Sequence, residues 1–337
     1  MAAPGARRGW PVADGAIPGA GFTVAETGFR TLNAATLLGT VFPPREAVLG
    51  PWLPAKGVAM VYGPRGIGKT HLTLGAAYAV ATGGTFLRWR APRPRRVLVI
   101  DGEMPAVVLQ ERLAAIMNAA PSEPPSPDFL RLLPMDLQDG GDLDLSDESC
   151  HPALEAAIAD AELLIVDNIS TLARGGRENE AESWLPVQQW ALRQRRAGRT
   201  VLFVHHAGKG GQQRGTSRRE DVLDTVVALR RPADYRPDEG ARFEVHFEKA
   251  RGFHGDDAQP FEAALIPGTS GISPKCPSWT MRDLADAEMA RVMAMAADGM
   301  SVRDIAEELG MSKSKVARLQ AKAREQAAAP AATGRCG

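Results

Sequence analysis

Short, continuous apolar runs alternate along this chain with stretches whose apolar residues recur every three or four positions. Gly57-Val-Ala-Met-Val-Tyr62, Arg96-Val-Leu-Val-Ile-Asp101, Glu162-Leu-Leu-Ile-Val-Asp167 and Thr200-Val-Leu-Phe-Val-His205 lack the polar alternation of a half-solvated strand. Each therefore predicts a strand covered on both faces. Helical spacing predicts helices over residues 71–82, 105–119, 154–161 and 184–196, the first closed by Gly83-Gly84 and the second opened by Pro105. Residues 129–133, 223–229, 242–248 and 261–265 read as further strands. Apolar strands alternating with helices predict an α/β fold, a mostly parallel sheet covered by helices.

The pattern changes at both ends. Residues 1–28 are rich in Gly, Ala and Pro without a period and read as a loose arm. The α/β pattern fills residues 29–270. After a boundary near residues 268–279, residues 281–326 are helical throughout and predict a small all-α domain, with 327–337 a frayed tail. A chain of 337 residues has room for about two such domains. Forty basic residues balance forty acidic ones, which excludes a polycationic nucleic-acid coat protein and leaves room for a local basic patch. Cys150, Cys276 and Cys336 are scattered and form no CxxC pair, so neither a disulfide framework nor a cysteine zinc site is expected. No apolar run approaches about 20 residues and the opening residues lack an apolar signal core; the expectation is a cytoplasmic protein with no membrane contact.

Gly63-Pro-Arg-Gly-Ile-Gly-Lys-Thr70 fits the pattern GxxxxGK[ST] between a predicted strand and a predicted helix. Glycines let successive amides turn inward around phosphates, and the following helix N-terminus adds positive potential. Gly63, Pro64, Arg65, Gly66, Ile67, Gly68, Lys69, Thr70 and His71 are the expected nucleotide contacts, with Lys69 on the β- and γ-phosphates and the Thr70 hydroxyl on Mg²⁺. Asp167, at the end of a strand, is the second expected Mg²⁺ group, so ATP and Mg²⁺ are the implied cofactors. Glu103 directly follows the second strand and is the candidate for activating water; Asp101 competes for that role, and either residue could instead cap the helix opened by Pro105. His205 and His206 end the fourth strand, where a side chain reaches a γ-phosphate. Strand alternation sends one of them toward the site and leaves open which.

Asp101-Gly-Glu-Met104, Val204-His-His-Ala-Gly-Lys209, Arg214-Gly-Thr-Ser217 and Lys249-Ala-Arg251 follow one another in this order. With the two nucleotide motifs, this series resembles the RepA-like hexameric helicases, the plasmid and phage branch of the RecA/DnaB ATPases, over about residues 30–270. The resemblance implies a RecA-like P-loop NTPase core, a homo-hexameric ring, ATP hydrolysis between subunits and movement on DNA in replication. It implies Glu103 as the catalytic glutamate and His205 or His206 as the strand-end sensor. It also makes Lys249 and Arg251 candidates for an arginine-finger element offered to a neighbour's γ-phosphate. The Gly-rich segment carrying Lys209, Arg214, Arg218 and Arg219 suits a loop that tracks the backbone of single-stranded DNA, and in the resembling rings it faces the central channel.

Residues 302–319 have the spacing of a helix-turn-helix. Ala306 suits the close helix crossing, Gly310 the positive φ of the turn, and Ile305, Leu309, Val316 and Leu319 the core. Ser312 would cap a second helix presenting Lys313, Lys315, Arg318, Lys322 and Arg324 to duplex DNA, with residues 287–297 completing three helices. A helical module that docks protein fits the same pattern. Two functional expectations follow: a DNA helicase, or a non-helicase DNA-binding ATPase of a mobile element that regulates replication or transcription through this head.

Overall fold

The structure, a computed structural model, describes residues 23–24, 30–139, 143–174, 181–208, 221–268 and 277–328. The chain divides into two compact units, Met1–Glu46 and Ala47–Gly337. In the first, β1 (Thr23–Val24) pairs antiparallel with β2 (Arg30–Thr31). Asn33 caps α1 (Ala34–Gly39) by accepting from Thr36 N at 2.8 Å.

The second unit opens with a small hairpin, β3 (Ala47–Leu49) and β4 (Leu53–Pro54). Then follow β5 (Val58–Gly63), α2 (Lys69–Thr82), the hairpin β6 (Thr85–Phe86) and β7 (Trp89–Arg90), β8 (Val97–Asp101), α3 (Ala106–Ala119) and β9 (Leu130–Pro134). The chain continues through α4 (His151–Ile158), β10 (Leu163–Asp167), α5 (Ile169–Leu172), α6 (Ala181–Arg196), β11 (Thr200–His206) and β12 (Thr225–Arg230). It ends in β13 (Arg242–Ala250), β14 (Phe261–Ile266), β15 (Ser278–Asp283), α7 (Leu284–Ala297), α8 (Val302–Glu308) and α9 (Lys313–Ala328).

Nine strands form one sheet in the order β15-β14-β13-β12-β5-β11-β10-β8-β9. The pairs from β12 to β9 are all parallel, while β13, β14 and β15 extend the sheet antiparallel. The α/β expectation thus holds, and its physical basis is visible in β5. Ala59 and Val61 enter the core packed on α2, whereas Val58, Met60 and Tyr62 enter the core packed on α4 and α6. With both faces covered, no position along the middle of the strand faces water, which is why the runs are continuous.

The C-terminal helices share a small core of Val292, Ile305, Ala306, Leu309, Val316 and Leu319. Gly310 takes φ +61, Ser301 and Asp304 cap α8 reciprocally, and Ser312 Oγ accepts from Lys315 N at 3.2 Å. The sequence assigned residues 281–283 to this helical part, but they belong to β15 at the sheet edge. Only Trp279 of β15 packs inward, on Phe86 and Phe243, so the strand has no apolar run to reveal it. The buried Arg291 of α7 ties the helices to the sheet, with Nη2 2.9 Å from Glu262 Oε2 and Nη1 3.3 Å from Glu244 Oε1. Among the described residues, no helix is long and apolar enough to cross a membrane.

Candidate active site

Parallel register brings the C-terminal ends of four strands to one edge. Asp167 lies opposite Asp101, and His206 opposite Gly63. From Gly63 the chain turns through the glycine-rich loop into α2. Gly68 takes φ +112 at the helix cap, and a Cβ there would sit 2.9 Å from Ala241 Cβ. A Cβ on Gly63 would sit 2.9 Å from the Leu229 carbonyl oxygen. Any larger residue would push the loop off the sheet. No side chain caps α2, so its first amides remain available to an anion.

Lys69 is buried, and its Nζ donates to the carbonyls of Gly63 (3.1 Å) and Pro64 (2.9 Å) and to His206 Nδ1 (3.0 Å). Burial lowers the Lys69 pKa, and burial beside Lys69 lowers that of His206. A neutral His206 accepting from Lys69 at Nδ1 carries its proton on Nε2, which lies 3.2 Å from Glu103 Oε2. Asn168 Nδ2 donates to that same oxygen. Lys69, His206, Glu103 and Asn168 therefore form one connected group.

Asp101 Oδ1 accepts from the backbone amides of Glu103 (2.9 Å) and Met104 (2.7 Å). Its buried carboxylate thus shapes the turn that carries Glu103. Asp167 is 5% exposed, bonds the Thr70 hydroxyl, and has an Oδ2 with no hydrogen-bond partner among the described residues. Burial first, then the neighbouring Asp101, push the Asp167 carboxyl up to about 7. A buried, unsatisfied carboxylate oxygen beside a hydroxyl at the end of the phosphate loop suits a hard divalent cation, so these residues fit Mg²⁺.

The remaining sequence-predicted residues fall into three sets. Pro64 and Ile67 line the turn, Arg65 and Gly66 are exposed on it, and the partly buried His71 is held neutral to about pH 4 by burial and by Arg112. His205 sits in register with Tyr62, whose side chain belongs to the α6-side core, so the strand turns it away from Lys69. Lys249 and Arg251 are not brought to this edge. Lys249 pairs with Val226, and Arg251 N donates to Asp224 O beside Val58, at the opposite end of β5, about 15–20 Å away by strand rise. Lys209, Arg214, Arg218 and Arg219 lie outside the described residues. On α9, Lys313, Arg318 and Lys322 are exposed, whereas Lys315 Nζ is paired with Glu288 Oε1 at 2.8 Å and holds α9 to α7.

Sequence reasoning missed Asn168, Arg112 and Arg231. Asn168 follows Asp167 directly, a signal the strand-end logic could have used. Arg112 lies within electrostatic reach of Asp167 and Asp101. The Arg231 guanidinium stacks 4.0 Å over Tyr235 and comes 3.9 Å from where a Gly66 Cβ would sit. Nothing local in the sequence marks either arginine.

A family model described as an AAA domain matches residues 25–212. No curated protein matches the chain. Among solved structures, the flagellar accessory protein FlaH from Methanocaldococcus jannaschii is similar at 12% identity, covering 68% of this chain and 90% of that one with a TM-score of 0.45. A KaiC-like protein from Pyrococcus horikoshii is similar at 16% identity, covering 67% and 90%, with a TM-score of 0.44.

Proposed function

This chain belongs to the AAA domain family and is a RecA-like P-loop ATPase; from that premise we propose that it is an ATP-driven motor on DNA, a cytoplasmic helicase of the RepA-like kind working as a homo-hexamer. One observation carries the reading. His206 stands between Lys69 and Glu103, and the basic segment that begins at Lys209 starts three residues later. A hold of that segment on single-stranded DNA would be felt, three residues up the chain, at the residue that links the phosphate-binding lysine to the carboxylate.

The amides of residues 63–71 wrap the phosphates of the substrate ATP. Lys69 exchanges His206 for β- and γ-phosphate oxygens. Thr70 and Asp167 would hold Mg²⁺, which would supply positive charge against the charge that develops on the phosphates. Glu103 accepts a proton from water as the new oxygen–phosphorus bond forms and the bond to ADP breaks. His206, freed from Lys69, reports the γ-phosphate to the basic segment, where Lys209, Arg214, Arg218 and Arg219 hold single-stranded DNA. Lys249 and Arg251, too far from their own phosphate loop, serve a neighbour's. His205 supports the strand from its other face.

A second reading, a DNA-bound ATPase that regulates or recruits without unwinding, is favoured by the exposed Lys313, Arg318 and Lys322 on α9, a basic face of the kind that enters a major groove. Strand displacement on forked DNA separates the two. The motor reading predicts ATP-dependent displacement and a turnover raised by single strands. Stimulation by duplex alone, without displacement, selects the second reading. ATP turnover indifferent to any DNA contradicts both.

A further inference from the structure

Asn168 is fully buried at the step from β10 into α5, and both ends of its amide are used. Oδ1 accepts from Thr171 N at 3.3 Å, capping α5 and fixing which way the amide faces. Nδ2 is thereby turned to the site, where it donates to Glu103 Oε2 and lies 3.2 Å from His206 Nε2. Glu103 needs such a hold. Its side chain is 52% exposed, and Asp101 restrains only the backbone of its turn. A long carboxylate side chain left to itself spreads over several rotamers.

Among the described residues, two side chains hydrogen-bond Glu103: His206, the last residue of β11, and Asn168, just past β10. His206 also bonds Lys69, so its contact changes whenever Lys69 changes partner. Asn168 has no bond to Lys69 and is fixed from behind by α5. Its amide is also neutral, which adds a donor without adding a fourth carboxylate to Asp101, Glu103 and Asp167. We propose that Asn168 is the positioning residue of the reaction: it holds Glu103 Oε2 at the end of β10 so that Oε1 faces the attacking water. The inference rests on Glu103 being the base.

The test compares full-length wild type with Asn168→Ser, Asn168→Asp and Glu103→Gln. Readouts are kcat and KM for ATP, the Kd of a non-hydrolysable ATP analogue, and the thermal unfolding midpoint. Ser and Asp both retain an acceptor for Thr171 N, so the cap on α5 survives, and the unfolding midpoint of the neutral Ser variant stays near wild type. The Ser hydroxyl is too short to reach Glu103 as the amide does, and an ionised Asp has no donor. Misplacement of a catalytic group by about 1 Å costs on the order of 10²-fold, so kcat should fall about 10–100-fold in both, with analogue affinity for the neutral Ser variant within about threefold. A role confined to capping predicts wild-type kcat in both variants, and that result overturns the inference. A fall in kcat matched by an equal loss of folded protein or of analogue binding overturns it as well. Glu103→Gln turning over at the wild-type rate overturns the base assignment together with this inference. Glu103→Gln inactive beside fully active Asn168 variants overturns this inference alone.

Discussion

Asp167 combines two properties that are costly apart and useful together. Its carboxyl is removed from water, and one oxygen has no partner among the described residues. Burial has raised its pKa from 3.8 to about 7. Between these values the folded protein retains a proton that the unfolded chain releases. The resulting stability is present at low pH and is lost as pH rises through about 7, the reverse of a salt-bridged carboxylate. A cation at this position needs the ionised form and competes with that proton. The Mg²⁺ concentration required for tight nucleotide binding should therefore rise as pH falls below 7, by up to about tenfold per unit. Titrating Mg²⁺ against nucleotide binding from pH 6 to 8 checks this, with Asp167→Asn binding weakly and without that slope. Equal Mg²⁺ requirements across the range would remove Asp167 from the metal site.

The elements nearest the chemistry were the easiest to read from sequence, because their signals are local. β5, β8, β10 and β11 are buried on both faces, so their middles are continuously apolar and their polar residues gather at the ends. The phosphate loop needs its glycines where Leu229 and Ala241 press against it. What remained hidden depends on register between distant strands. Alternation alone assigns one histidine to the site; the pairing of His206 with Gly63 decides which. Asn168 gains its role only when β8, β10 and β11 end together. Lys315 looks like any basic residue of a recognition helix until α7 brings Glu288 against it. β15 matters for experiments on the head. Deletion from residue 281 would cut the strand paired to β14, and loss of α7 would leave Glu244 and Glu262 without Arg291. Substitution on α9 isolates the head more cleanly. Neutralising Lys313, Arg318 and Lys322 should weaken duplex binding and flatten its salt dependence, by up to about one unit of slope for each phosphate that α9 no longer neutralises. Basal ATP turnover should be unchanged. Duplex affinity at several salt concentrations measures it; unaltered affinity would assign the head to protein docking.

At the scale of the whole molecule, the phosphate loop and the candidate finger face opposite ends of the same sheet. Lys69 stands where β5 ends, and Arg251 stands beside where it begins. One chain cannot bring both to one γ-phosphate, whereas a head-to-tail ring would join them at each interface. The assembly is therefore proposed to complete a site that a single copy leaves unfinished. Mixing two inactive variants tests this most directly. Arg251→Ala should bind ATP and lose most hydrolysis, since a finger of this kind contributes about 10³-fold or more. Lys69→Ala should fail to bind ATP and still offer an intact Arg251. In equimolar mixed assemblies, about a quarter of interfaces join a good phosphate loop to a good finger, so turnover should return to about that fraction of wild type. No recovery at any mixing ratio, with mixed assemblies shown to form, would contradict the shared site.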